Sequence, residues 1–196
     1  FRTRETADLF LVLIMRRLKE RGRAAVVLPD GFLFGEGIKT RIKEKLLTEC
    51  NLHTLVRLPN GVFNPYTGIK TNLLFFTKGE PTKEVWYYEH PYPEGYKSYS
   101  KTKPMRIEEF EGEGSEKAWW GDPKTREGRK ENDRAWKVSA DEIKANGYDA
   151  AADVLALTAG QVAALERVEA FWERMLGEGD EGYGFLPDTA FPGNQD

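Results

Sequence analysis

Two loops of this 196-residue chain carry the residue types that could do chemistry. The more informative is Pro59-Asn60-Gly61-Val62-Phe63-Asn64-Pro65-Tyr66-Thr67-Gly68-Ile69-Lys70-Thr71, in which two Pro and two Gly constrain the backbone. Phe63 and Tyr66 are aromatic where core packing makes no obvious demand. An aromatic face near basic groups suits an extruded nucleic-acid base, because each base–ring stack is worth about 1–3 kcal/mol. Core filling by Phe63 is the competing reading of the same spacing. The other loop, Pro29-Asp30-Gly31-Phe32-Leu33-Phe34-Gly35-Glu36-Gly37, places Asp30 at a strand end. Ligands of open α/β sheets bind beyond the carboxyl ends of the strands. Asp30, Asn60, Phe63, Tyr66 and Lys70 are therefore the candidate site residues. The glycines after Asp30 could cradle a phosphate, but their spacing is not Gly-x-Gly-x-x-Gly. Turn-forming glycines, with Phe32 and Phe34 packed on the sheet, are the preferred reading of that loop, with Asp30 kept as a site candidate.

Other chemistries find little support. His53 and His90 have no Cys or carboxylate at metal-ligand spacing, so no metal site is expected. Cys50 ends a helical pattern with no activating neighbour and reads as a buried structural thiol. No Gly-x-Ser-x-Gly elbow is present. Lys39, Arg41, Lys43 and Lys45 scatter around a helix and read as a solvated face.

The elements that must position these loops follow from periodicity. Residues 6–21 read as an amphipathic helix with Ala7, Phe10, Leu11, Ile14 and Leu18 on one face, and Gly22 placed as a left-handed cap. Residues 24–28 are a short apolar run, fitting a strand buried on both faces. A helix over residues 38–50 buries Ile42, Leu46 and Leu47; strands follow at 52–58, 71–78 and 84–90. A crossover helix makes the first two strands parallel. The link over residues 59–70 is too short for another, so the third strand is expected antiparallel. Residues 91–134 have no clear period and read as loops. Ser139-Ala140-Asp141-Glu142 and Thr158-Ala159-Gly160-Gln161 are capping boxes; the second opens a helix to Leu176 with a Leu165, Val168, Trp172, Met175 seam.

Composition bounds the rest. The longest apolar run, residues 9–15, has seven residues, far short of the roughly 20 that span a bilayer. A single cysteine excludes an intramolecular disulfide framework and hints at a reducing compartment. Residues 1–80 hold 14 Lys+Arg and 8 Asp+Glu, a net of +6, whereas residues 81–196 hold 15 and 24, a net of −9. A basic half suits a polyanion, an acidic half some other surface.

Taken with these loops, the stretch from Gly22-Arg23-Ala24-Ala25-Val26-Val27-Leu28-Pro29-Asp30-Gly31 through Leu58-Pro59-Asn60-Gly61-Val62-Phe63 to Thr71-Asn72-Leu73-Leu74-Phe75-Phe76 resembles the methylation subunit of type I restriction–modification systems. The resemblance runs over roughly residues 3–148, including Ala135-Trp136-Lys137-Val138-Ser139. It implies an adenine-N6 DNA methyltransferase using S-adenosylmethionine. The expected fold is α/β: the C-terminal half of a Rossmann-like methyltransferase sheet, parallel strands plus an antiparallel last strand, then a loop-rich and helical extension. The segments implied are 1–90 for the catalytic part, 91–150 for the loop-rich extension with a short helix, 151–178 for a helical segment and 179–196 for a tail. Phe63, in its Val62-Phe63-Asn64-Pro65 setting, would stack on the flipped adenine. Implied partners are double-stranded DNA, the specificity and restriction subunits and a second methylation subunit, with no membrane, in the cytoplasm.

The family's Gly-rich cofactor loop and its Asn-Pro-Pro-aromatic motif would precede Phe1, so no cofactor-binding residue is assigned here. The chain thus reads as a fragment, inactive alone. The rival reading is a non-catalytic assembly module docking on partner helices, with the Leu165–Met175 seam as its contact.

Overall fold

The computed structural model describes residues 3–110, 121–122 and 125–150. The second capping box, its helix and seam, and the tail lie outside the described residues.

Five strands form one mixed sheet: β1 (Arg23–Pro29), β2 (Cys50–Arg57), β3 (Thr71–Lys78), β4 (Glu84–Glu89) and β5 (Ala135–Ser139), in the order β1-β3-β2-β4-β5. The helices are α1 (Thr6–Arg17), α2 (Gly31–Phe34), α3 (Ile38–Glu49) and α4 (Ala140–Ala145). Helix α3 joins β1 to β2, which run in the same direction, yet the two are not neighbours. Strand β3 returns antiparallel and slots between them, pairing Val27 with Leu73 on one side and Val56 with Leu73 on the other. Strand β4 adds parallel to β2, and β5 adds antiparallel to β4. The sheet therefore has two antiparallel strands, one of them internal, rather than a single antiparallel strand at its end. Strand β5 was not foreseen, because Trp136 and Lys137 blur its alternation; Trp136 stacks on its cross-strand partner Tyr87 at 5.8 Å and 9°.

One face of the sheet carries the main core. Leu11, Val12 and Met15 of α1 and Ile42, Leu46 and Leu47 of α3 pack on Leu28, Leu52, Leu55, Leu74, Phe76 and Tyr87. A bulge between Leu52 and Thr54 turns the alternation of β2 by one, which puts both Leu52 and Leu55 on this face. The opposite face buries Val56, Leu58, Tyr88 and Ala135 against Val62, Phe75, Met105 and Phe110. Ser139 caps α4 by accepting the Glu142 N–H at 3.1 Å, as its capping box requires.

Several expectations are corrected. Helix α1 ends at Arg17, and Phe10 is 57% exposed, because this helix is apolar on more than one side and spacing alone selects the wrong ring. The left-handed residue before β1 is Arg21, not Gly22; Gly22 is needed because a Cβ there would lie 2.7 Å from the Lys19 carbonyl oxygen. Strand β1 is not buried on both faces: Ala25 and Val27 are exposed on the edge strand of the described sheet. Lys43 points inward, its Nζ donating to the Leu33 carbonyl, and burial lowers its pKa to about 8. Phe34 is exposed while Phe32 packs in the core. No helix among the described residues is long and apolar enough to cross a membrane.

Candidate functional site

Because β3 starts between the carboxyl ends of β1 and β2, the loop over residues 59–70 is rooted at that end of the sheet. Its two legs are tied down by backbone bonds. The Leu58 N–H donates to the Thr71 carbonyl and the Asp30 N–H to the Lys70 carbonyl, both at 2.9 Å. Between the legs the chain coils tightly: the Asn64 N–H donates to the Gly61 carbonyl at 3.0 Å and the Tyr66 N–H to the Phe63 carbonyl at 2.9 Å. Gly61 has φ +74°, and a Cβ there would stand 2.5 Å from the Asn64 amide nitrogen, so the turn tolerates only glycine. The result presents aromatic rings outward. Phe63 is 37% exposed and Tyr66 91% exposed. Phe63 belongs to neither buried core cluster.

Asp30 sits one step lower, and it is not free. Its Oδ2 accepts from the Arg57 guanidinium at 3.3 Å and its Oδ1 from the Asn72 amide at 2.9 Å. Arg57 and Asn72 are buried, at 4% and 0% exposure. The three residues latch the end of β1 to the end of β2 and the start of β3, directly under the loop. The Asn72 Oδ1 is buried and has no hydrogen-bond partner among the described residues. Neither Arg57 nor Asn72 was singled out from sequence. The available signal was an arginine closing the apolar Leu55-Val56 end of a strand, since a charge in a buried strand requires a counter-charge.

The loop is also held from outside the sheet. The Tyr92 hydroxyl donates to the Asn60 carbonyl at 2.8 Å, and the Asn64 amide donates to the Tyr99 carbonyl at 3.2 Å. Tyr99 is buried, and its hydroxyl donates to Glu109, whose Oε2 also lies 3.0 Å from His90 Nε2. His90 stacks on Phe110 at 4.2 Å. Asn60 thus enters through its backbone, and Lys70 through its carbonyl, rather than through the side chains that drew attention to them.

Burial works to raise the pKa of the Glu109 carboxyl, but hydrogen bonds from Tyr99, His90 and the Arg106 N–H outweigh it and hold the group below its ordinary value. A carboxyl depressed on folding stabilises the fold above its unfolded pKa and loses that contribution as pH falls through the folded one. The difference in urea midpoint between the chain and its Glu109→Gln variant is therefore expected to be full near neutrality and to close on acidification below about 4.5. A difference that does not change on acidification is the contrary result.

A second concavity, about 450 Å³, opens at the other end of the strands, lined by Arg23, His53, Phe75, Arg126 and Arg129 among others. Burial and the neighbouring Arg126, Arg129 and Arg23 push His53 down to about 4, so it is neutral at physiological pH. Arg129 bridges the His53 carbonyl and Thr54 Oγ1 and lies over the Trp86 ring at 5.6 Å. None of the five candidate residues lines this cleft.

The family model described as N-6 DNA Methylase matches residues 2–159. The methylase subunit of the type I restriction enzyme EcoEI of Escherichia coli is 67% identical over 148 residues, which is 75% of this chain and 30% of that protein. The EcoKI methylase subunit of Escherichia coli K12 is 37% identical over 144 residues, 69% of this chain and 26% of that protein. Among solved structures, the EcoKI M protein superposes with a TM-score of 0.62 at 29% identity, covering 91% of this chain and 46% of that one. A chain from a type I restriction–modification system, solved for its complex assembly and conformational transition, reaches 0.68 at 36% identity, covering 92% and 41%. The chain spans less than a third of the length of these curated relatives. Matched over most of its sequence by the family model, and folded like the methylation subunits of type I enzymes, the chain belongs to the N-6 DNA methylase family.

Proposed function

We propose that this chain supplies the C-terminal part of the catalytic domain of a type I DNA methyltransferase subunit, which transfers a methyl group to the N6 amine of an adenine flipped out of duplex DNA. Residues 1–90, with β5 added at the sheet edge, would form the last strands of a Rossmann-like sheet, the rest of residues 91–150 an extension that supports the base-binding loop, and residues 151–178 a segment for assembly. The observation that carries this reading is the outward Phe63 ring on a turn pinned at the carboxyl end of the sheet.

The chemistry explains why such a turn is useful. The exocyclic amine of adenine is paired inside a duplex and cannot be reached there, so the base leaves the stack and loses its neighbours. An aromatic ring on a rigid turn replaces part of that lost stacking and holds the base still for reaction. Tyr66 and Lys70 stand on the same loop, where a ring and a cation can meet the displaced strand.

S-adenosylmethionine would supply the methyl group, but the described residues do not by themselves fit it. Asp30, the acidic group at the strand ends where ribose hydroxyls could be held, is already committed to Arg57 and Asn72. The cofactor would then be held by the remainder of a longer protein of the relatives' size, and a chain of these 196 residues would be inactive. DNA, the specificity and restriction subunits and a second methylation subunit are the partners this reading implies.

The test is direct. The full-length subunit assembled with its specificity subunit is incubated with labelled S-adenosylmethionine and duplex DNA, which is then digested to nucleosides. Label is expected in N6-methyl-2′-deoxyadenosine only, and none is expected with the 196-residue chain alone. Label in cytosine, or none with the assembled enzyme, overturns the proposed reaction and favours a non-catalytic role. Transfer by the short chain overturns its inactivity.

A further inference from the structure

We infer that residues 91–110 are a brace for the Phe63 turn, and that Tyr92 and Asn64 are positioning residues for base capture. The inference rests on the reading of Phe63 as the base-stacking ring.

The turn is held at its legs by the sheet, but its crown has no strand to lean on. Two hydrogen bonds cross from the brace to the crown: Tyr92 hydroxyl to the Asn60 carbonyl, on the rising side, and Asn64 amide to the Tyr99 carbonyl, next to Phe63 itself. The first grips the backbone of the turn at Asn60; the second ties the side chain of the residue after Phe63 to the backbone of the brace. The brace is stiff enough to act as a reference. Tyr99 is 1% exposed, its ring packs near Tyr92 at 5.4 Å and Tyr96 at 5.9 Å, and its hydroxyl is locked by Glu109 and His90. Glu109 in turn closes the helical turn over residues 107–109 by accepting the Arg106 N–H at 2.8 Å. Phe110 then seats this unit on His90, just past β4. The route from sheet to base is thus β4, His90, Glu109, Tyr99, Asn64, Phe63.

A ring that stacks on a flipped base must sit within a fraction of an ångström of its place, because a small misplacement of a positioning group is enough to cost much of the rate. Losing the two bonds leaves the ring present but loosely aimed. The signature is weaker capture of the base with unchanged donor binding, which a general loss of folding does not produce.

The experiment uses the full-length enzyme assembled with its specificity subunit and a duplex carrying 2-aminopurine at the target position. Four proteins are compared: the parent, Phe63→Ala, Tyr92→Phe and the double variant Asn64→Ala/Tyr92→Phe. The double variant is expected to lower kcat/KM for DNA about tenfold, at about one net hydrogen bond each, and to lose most of the emission rise on DNA binding. Tyr92→Phe, which removes one hydroxyl and cannot empty a core, is expected to lower kcat/KM about threefold in the same direction. Affinity for S-adenosylmethionine is expected to stay within about twofold of the parent in both. If Phe63→Ala abolishes the emission rise while both brace variants match the parent, the brace is wrong and the stacking role stands. If Phe63→Ala itself matches the parent, the underlying reading of the turn fails. A brace variant that loses donor affinity in step with base capture also overturns the inference, since the loss is then global.

Discussion

Phe63→Ala in the complete enzyme is expected to slow methyl transfer to duplex DNA about 10- to 100-fold, the equivalent of one lost base–ring stack of roughly 1–3 kcal/mol. The expectation follows from where the ring sits. A phenyl group that is 37% exposed and outside both buried clusters contributes less than a core ring, so its removal is expected to lower the melting temperature only modestly. Most of its value is then expressed in the complex with extruded base. Phe63→Trp, which keeps an aromatic face, is expected to retain most of the rate, whereas Phe63→Leu keeps apolar bulk and loses it. Affinity for S-adenosylmethionine should not follow. A 2-aminopurine target reports base capture directly, and an emission rise in Phe63→Ala equal to the parent's counts against the role. A variant that melts early, with catalysis lost in proportion to the unfolded fraction, would return Phe63 to the core.

Much of the framework that presents this ring was legible in the sequence, and the reasons are local. Apolar runs closed by Pro29-Asp30-Gly31 and Pro59-Asn60-Gly61 announce strands that stop abruptly, and strands are found there. The twelve-residue link over 59–70 carries no helical pattern, so the return of β3 could be read as antiparallel before its neighbours were known. What could not be read is where β3 goes. Insertion between β1 and β2 satisfies both flanks with backbone bonds, but that is a property of three segments together, and no one of them encodes it. The same limit hid the latch. Arg57 looks like one polar residue in a strand, and Asn72 like another; only their meeting at Asp30 gives them meaning. The brace was harder still, because Tyr92, Tyr99 and Glu109 follow no period and their bonds go to backbone carbonyls and to one another. Lys43 was misjudged for a different reason: on a helix with several lysines, a regular outward pattern conceals the one whose stem crosses the core to reach the Leu33 carbonyl.

Asp30, a candidate from the sequence, and Arg57 and Asn72, which no pattern marked, meet in the second large effect. Asp30→Ala is expected to destabilise the fold by about 1–3 kcal/mol, because it removes one acceptor from the buried Arg57 guanidinium and the acceptor of the Asn72 amide. The carboxylate is partly exposed, at 20%, whereas Arg57 is at 4%, so the cost falls on the arginine rather than on the aspartate removed. Asp30→Asn keeps an oxygen for one of the two donors and is expected to lose less. Replacing both charges, Asp30→Ala with Arg57→Met, is expected to recover part of the loss, since an apolar pair needs no desolvation offset. Urea unfolding of the four proteins decides the matter. A catalytic carboxylate predicts the reverse pattern: Asp30→Ala would melt with the parent, or above it, and fail only in turnover. The latch also reaches the chemistry by geometry, since Arg57 closes β2 two residues before Pro59. Asp30 variants that remain folded are therefore expected to lose base capture through a displaced Phe63 turn, and the double replacement to restore it in step with stability.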